Sequence, residues 1–220
     1  MKKPLLQLAL DNLSLEEALH TLEGGLADAV DIIEAGTLLI CAEGVGAVGE
    51  LRRRFPHKAL AADFKIADAG RVLGGLIAAQ GPDYITVICA ADNGTKAAVK
   101  AEADRRGATV QVELYGRWQM EDVEQWNALG ITHVIYHRSR DAAGDWSATD
   151  IACVKALCSM GMEVTVTGGV GCRELALFAG LPIFAVICGR SLRDAADPAA
   201  EAAAMKAQID ALWPDRKSVV

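Results

Sequence analysis

The chain has no pair of cysteines at C-x-x-C spacing, although it carries six of them: Cys41, Cys89, Cys153, Cys158, Cys172 and Cys188. Thiols scattered in mostly apolar surroundings suit a reducing, cytoplasmic compartment better than a disulfide framework or a cysteine zinc site. Aromatic residues are scarce, at 5%, and there are only four histidines. Cationic excess is also missing. The formal net charge of −7 argues against a nucleic-acid partner, which would need a basic face. It leaves open a local cationic site for a small anionic substrate. No apolar run is long enough to cross a membrane. The N-terminal Lys2-Lys3-Pro4-Leu5-Leu6 mimics the start of a signal peptide, but Gln7 breaks the run and Asp11 stops it, so it reads as a strand. No long linker or low-complexity segment divides the chain, so residues 1–220 read as one domain with one sizeable core.

Small aliphatics dominate what is there. Short apolar runs alternate with helical stretches throughout. The expected strands are Leu5–Leu10, Val30–Ala35, Ala59–Ala62, Tyr84–Ile88, Thr109–Leu114, His133–Tyr136, Glu163–Thr167 and Ile183–Cys188. Helices are expected near Leu15–Leu22, Val45–Phe55, Ala69–Ala79, Gly94–Arg106, Met120–Leu129, Thr149–Met160, Arg173–Phe178 and Pro198–Leu212. Strands rich in Val, Ile and Ala suit a parallel sheet buried on both faces. Strand–helix units repeated in this way in a chain this short predict a single α/β domain, a (β/α)₈ TIM barrel.

In such barrels the site lies at the C-terminal ends of the strands. Those ends carry Asp11, Glu34, Asp63 with Lys65, Glu113, His137 with Arg140 close behind, Thr167-Gly168-Gly169 and Gly189-Arg190. Any one polar strand end is ordinary, because strand ends reach water; their convergence on one rim predicts an enzyme site. Asp63-Phe64-Lys65-Ile66-Ala67-Asp68 is the densest stretch. Alternation along a strand puts Asp63 and Lys65 on one face, and Asp68 is expected to cap the following helix. Alone, these charges would make only an ion pair and a cap. With Asp11 and Glu34 they make a carboxylate cluster around one lysine, self-repelling unless a cation joins it. Oxygen donors without clustered Cys or His point to Mg²⁺. Gly168-Gly169 ahead of a helix, with Arg190 as a bidentate partner, points to a phosphate. His137 beside Arg138 and Arg140 points to proton handling. The tryptophans and Arg52-Arg53-Arg54 read as packing and as a solvated helix end.

These residues resemble the orotidine 5′-monophosphate decarboxylase superfamily, and within it the branch that decarboxylates 3-keto-L-gulonate 6-phosphate. The resemblance rests on Asp63-Phe64-Lys65-Ile66-Ala67-Asp68-Ala69-Gly70 as a D-x-K-x-x-D motif, and on Leu8-Ala9-Leu10-Asp11, Asp31-Ile32-Ile33-Glu34-Ala35-Gly36-Thr37, Tyr136-His137-Arg138-Ser139-Arg140-Asp141, Thr165-Val166-Thr167-Gly168-Gly169 and Gly189-Arg190-Ser191. It implies a metal-assisted decarboxylation to L-xylulose 5-phosphate and CO₂ through an enediolate. It implies Glu34 and Asp63 as Mg²⁺ ligands, and Lys65, Asp63, Asp68, His137 and Arg140 as catalytic residues. Asp11, Glu113, Thr167, Gly168, Gly169, Gly189 and Arg190 would bind the sugar phosphate. The resemblance further implies a homodimer in which Asp68 enters the facing subunit's site. The alternatives are 3-hexulose-6-phosphate synthase on the same scaffold, a catalytically dead phosphosugar sensor, and a phosphosugar epimerase. No acid or lysine is lost, as a sensor would show, and an epimerase would call for metal-binding histidines.

Overall fold

Short Val/Ile/Ala-rich runs are the wrong length for helices and lack the polar alternation of a half-exposed strand, so they are stable only as buried parallel strands. The computed structural model, which describes residues 2–139 and 144–214, closes eight of them into one barrel in sequence order, every neighbour parallel. The strands are β1 (Leu5–Leu10), β2 (Ile32–Ala35), β3 (Ala59–Ile66), β4 (Tyr84–Ile88), β5 (Thr109–Leu114), β6 (His133–His137), β7 (Glu163–Thr167) and β8 (Ala185–Cys188). After β1 come α1 (Leu15–Thr21) and α2 (Leu26–Ala29); after β2, α3 (Thr37–Glu43) and α4 (Gly46–Arg54); then α5 (Gly70–Ala78), α6 (Asn93–Asp104), α7 (Met120–Ala128) and α8 (Ala148–Ser159) follow β3 to β6. The short α9 (Cys172–Leu175) runs into a 3₁₀ turn, Ala176–Phe178, after β7; α10 (Arg190–Arg193) and α11 (Pro198–Leu212) follow β8. The (β/α)₈ barrel read from the sequence is the fold observed.

Local signals explain several of these elements. The Ser14 hydroxyl accepts the Glu17 amide at 3.2 Å and starts α1, and Asp197 with Pro198 behind it starts α11. Outward-facing Leu6, Leu8 and Leu10 of β1 lie in the main core between sheet and helices, and all are 0% exposed. Leu, Ile and Val fill that ring, together with Trp126, Phe178 and Trp213. Among the cysteines, Cys89 and Cys188 are buried free thiols, but Cys41 on α3 is exposed, against the expectation of burial. No helix among the described residues is long and apolar enough to cross a membrane.

The strand registers stack the inward side chains in layers of four from alternate strands. Gln7, Ala61, Gln111 and Thr165 form one layer from the odd strands; Glu34, Thr86, Ile135 and Ile187 lie above it from the even strands. Ala9, Asp63, Glu113 and Thr167 come next, at the mouth. The barrel axis therefore becomes acidic toward its C-terminal end, where the helical connections open.

β3 departs most from expectation. It runs on to Ile66 instead of ending at Ala62, and its register against β4 shifts between Ala62 and Ile66. Lys65 sits there with φ 51°, a left-handed conformation costing about 1–3 kcal/mol in a non-glycine residue. Its N–H donates to Thr86 Oγ1 at 2.8 Å, which fixes the irregularity. Such bulges re-aim a side chain, here the lysine. Ala69 is also left-handed, at φ 51°, and it occupies the cap position of α5. Asp68 is therefore not the helix cap: it is exposed one residue earlier, and the backbone turn at Ala69 starts the helix instead.

Candidate active site

A cavity of about 630 Å³ opens at the C-terminal mouth of the barrel. Asp11, Glu34, Asp63, Lys65, His137, Thr167, Gly168, Gly169, Gly189 and Arg190 all line it. Glu113 lies just behind the wall, 2% exposed, and bonds two of the lining residues. Asp68 is not part of this lining, and Arg140 lies outside the described residues. The carboxylates gathered near Lys65 are thus Asp11, Glu34, Asp63 and Glu113, with Glu113 in the place expected for Asp68.

Lys65 is the hub. Its ammonium ion-pairs with Asp63 Oδ2, lies 2.8 Å from Glu113 Oε2 and donates to Thr37 Oγ1 at 3.0 Å. Burial pulls its pKa down, but the Asp63 and Glu113 carboxylates outweigh burial and hold it above the usual lysine range. It is a cation at neutral pH. Asp63 is buried, which raises its pKa, yet Lys65 and the hydroxyls of Thr37 (2.7 Å) and Thr86 (2.9 Å) bring it below the ordinary aspartate value. Glu34 moves the other way: burial and the neighbouring Asp63 charge push it well above the ordinary glutamate value. Its hydrogen-bond donor is Gln7 Nε2, from the layer below.

A buried carboxylate held protonation-prone by a second carboxylate is what a hard cation relieves. Asp63 accepts three hydrogen bonds, and a carboxylate has about four lone-pair sites, so it retains one. Among the described residues no cluster of three or more His, Cys, Asp or Glu forms a ready-made cage. Two carboxylates with the remaining positions left to substrate oxygens and water is the donor set Mg²⁺ accepts. The residues present fit that ion.

On the β6 side, His137 Nδ1 is hydrogen-bonded to Glu113 Oε1, which leaves Nε2 for the cavity. The His137 ring also meets the Tyr115 ring at 5.4 Å, tilted by 56°. Across the mouth, Gly168 has φ 103° and Gly169 φ 73°. A Cβ on Gly168 would meet Arg138 O at 2.1 Å, so only glycine lets the β7 and β6 loops approach. Nothing lies within 4 Å of a Cβ built on Gly169, so its amide faces open cavity. Ser191 Oγ donates to Val170 O at 2.8 Å and ties the β7 loop to the β8 loop, where Arg190 begins α10. Gly36 serves Asp11: a Cβ there would meet Asp11 Oδ1 at 2.4 Å and Leu10 O at 2.7 Å.

Thr37, Thr86, Gln7 and Tyr115 were not among the expected site residues. Thr86 had a signal, as the one polar residue in Ile85-Thr86-Val87-Ile88 with inward parity. Gln7 had the same signal in β1. Thr37 follows the strand-ending Gly36, but nothing in the sequence shows that its hydroxyl reaches across to β3.

An acid–lysine hub facing a glycine-and-arginine cradle, at the mouth of a closed barrel, defines a (β/α)₈-barrel enzyme for small anionic substrates. Within that class the chain belongs to the Orotidine 5′-phosphate decarboxylase / HUMPS family, which matches residues 4–205. It is 45% identical over 216 residues, 97% of this chain and 100% of the relative, to the 3-keto-L-gulonate-6-phosphate decarboxylase UlaD of Escherichia coli. The crystal structure of KGPDC from Streptococcus mutans in complex with a sugar phosphate superposes with a TM-score of 0.92 at 40% identity, covering 96% of this chain and 100% of that one. The 3-hexulose-6-phosphate synthase of Salmonella typhimurium gives a TM-score of 0.82 at 29% identity over 95% and 100% of the two chains.

Proposed function

We propose that this chain is a 3-keto-L-gulonate-6-phosphate decarboxylase that forms L-xylulose 5-phosphate and CO₂ through an enediolate. One observation carries the reading: the cationic Lys65, held by Asp63, Glu113 and Thr37, faces a cavity whose far wall is the Gly168–Gly169 and Gly189–Arg190 cradle. The 45% identical relative bears that name, and the superposed Streptococcus mutans enzyme holds a sugar phosphate.

The substrate is a β-keto acid. Heterolysis of its C1–C2 bond releases CO₂ and leaves the electron pair shared between C2 and the C3 oxygen. Lys65 stabilises the oxyanion as it develops, because its ammonium is already in place and needs no reorganisation. Mg²⁺ held by Glu34 and Asp63 would offset the repulsion between those acids and polarise substrate oxygens. His137, oriented by Glu113 through Nδ1, places the water that protonates the former C2; Arg140 shares that task on sequence grounds. Asp11, Glu113 and Thr167 orient the sugar hydroxyls. The amides of Gly168, Gly169 and Gly189, with the Arg190 guanidinium, hold the phosphate.

Phosphate binding is the same in ground and transition states, so Arg190→Ala is expected to raise KM about 10- to 100-fold with a smaller change in kcat. Steady-state kinetics checks this, and an unchanged KM would move the phosphate elsewhere.

The working unit in this reading is a cytoplasmic homodimer in which Asp68 completes the facing subunit's site. Asp68 is exposed and off its own cavity wall, and the helix that follows presents Val72 and Leu76, one turn apart, 69% and 47% exposed. Mixing Lys65→Ala with Asp68→Ala protein should then recover up to about a quarter of wild-type activity: random exchange makes about half the dimers mixed, each with one intact site. No recovery after exchange is verified by mass spectrometry would place Asp68 outside a shared site.

The competing assignment is the synthase. Incubating the protein with 3-keto-L-gulonate 6-phosphate, and separately with formaldehyde and a pentulose 5-phosphate, decides between them. The decarboxylase reading expects the larger kcat/KM for CO₂ release; a larger value for formaldehyde fixation would favour the synthase.

A further inference from the structure

The layer beneath the site is polar where a barrel interior is usually filled by branched aliphatics. Gln7, Gln111 and Thr165 are 1%, 0% and 0% exposed, and the fourth member, Ala61, is too small to fill the space between them. Four atoms of these side chains have no hydrogen-bond partner: Gln7 Oε1, Gln111 Oε1 and Nε2, and Thr165 Oγ1. Buried polar atoms are nearly always satisfied, and these three side chains offer both donors and acceptors. Below them Ile32, Tyr84, His133 and Ala185 form the next layer, and the rings of Tyr84, His133 and Phe184 pack at 4.8–6.0 Å to seal the barrel floor. Above them Gln7 Nε2 donates to Glu34 Oε2.

We infer that the Gln7–Gln111–Thr165 layer is a binding site for ordered water, and that Gln7, tied by that water, is a positioning residue that holds the Glu34 carboxylate at the floor of the cavity. A water needs two to four polar partners, and this layer supplies them. An amide with both ends engaged cannot rotate away from Glu34. The partner of a metal-binding group is typically worth 10- to 100-fold in metal affinity. The inference rests on the reading that Glu34 and Asp63 hold a divalent cation, and its test keeps the two apart.

Mn²⁺ binding to the purified protein is followed by electron paramagnetic resonance, without substrate, for wild type, Gln7→Met and Gln7→Asn. Met keeps the volume and loses the donor; Asn keeps the amide and loses the reach. Both are expected to bind Mn²⁺ about 10- to 100-fold more weakly while their circular dichroism stays that of the wild type. If Gln7→Met fails to fold, Gln7→Asn carries the comparison. A high-resolution crystal structure of the wild type is expected to show water within hydrogen-bond distance of both the Gln111 amide and Gln7 Oε1. Wild-type Mn²⁺ affinity in a folded Gln7 variant overturns the positioning role, and a dry layer overturns the water site. Wild-type protein that binds no Mn²⁺ overturns the metal reading instead, and crystallography alone then decides the water site.

Discussion

Lys65→Ala is expected to lower kcat about 10²- to 10³-fold, equivalent to about 2.7–4 kcal/mol of barrier, while the protein still binds a stable substrate analogue. The negative charge that Lys65 meets exists only once CO₂ begins to leave, so the loss falls on kcat and spares ground-state affinity. Folding must be followed in parallel. Asp63 and Glu113 are 8% and 2% exposed, and Lys65 is the cation they share. Removing one partner of a buried ion pair costs about 3–5 kcal/mol, so thermal stability should drop together with activity. Arginine should not restore turnover, because a planar guanidinium cannot sit among Asp63, Glu113 and the Thr37 hydroxyl as a compact ammonium does. Single-turnover kinetics with analogue titration checks this. A variant that keeps kcat but loses affinity would make Lys65 a binding residue only.

Exhaustive chelation with EDTA is expected to reduce turnover at least ~100-fold, and Mg²⁺ to restore it. The physical reason lies in Glu34, which burial and Asp63 push toward protonation. A folded-state pKa above the unfolded one means the folded protein binds the extra proton, so Glu34's contribution to stability is present at low pH and lost as pH rises through the raised value. A cation taking the proton's place cancels that loss. The melting temperature of metal-free protein should thus respond most to Mg²⁺ at the alkaline end of the stability range. Undiminished turnover in metal-free protein would remove the ion from the account.

The barrel was legible because eight short aliphatic runs separated by helices have one economical closed arrangement, and because the strand ends shared a chemistry. The interior of helix α3 was harder to see. Leu38-Leu39-Ile40-Cys41 continues the apolar character of β2, and no polar cap at Gly36 marks the start. Alternation placed Asp63 and Lys65 on one face, and both do enter the mouth, but Lys65 gets there through a left-handed bulge that no period-2 pattern encodes. The same run of irregular backbone took Asp68 off the helix cap. Glu113 was read as a residue for the substrate; its bonds to both Lys65 and His137 depend on barrel closure, which brings β3 and β6 to either side of the β5 strand end from distant parts of the sequence. The Thr37 and Thr86 hydroxyls that support Asp63 are long-range contacts of the same kind.

The central claim is that this site cleaves a carbon–carboxylate bond and protonates the carbon left behind. Nuclear magnetic resonance of 3-keto-L-gulonate 6-phosphate labelled with ¹³C at the carboxyl, incubated with the enzyme and Mg²⁺ in D₂O, tests both halves at once. The account predicts that the label appears entirely as CO₂ and bicarbonate, and that the pentulose 5-phosphate formed carries one solvent deuterium at C1. Label retained in a sugar phosphate, or a product without deuterium, would contradict it.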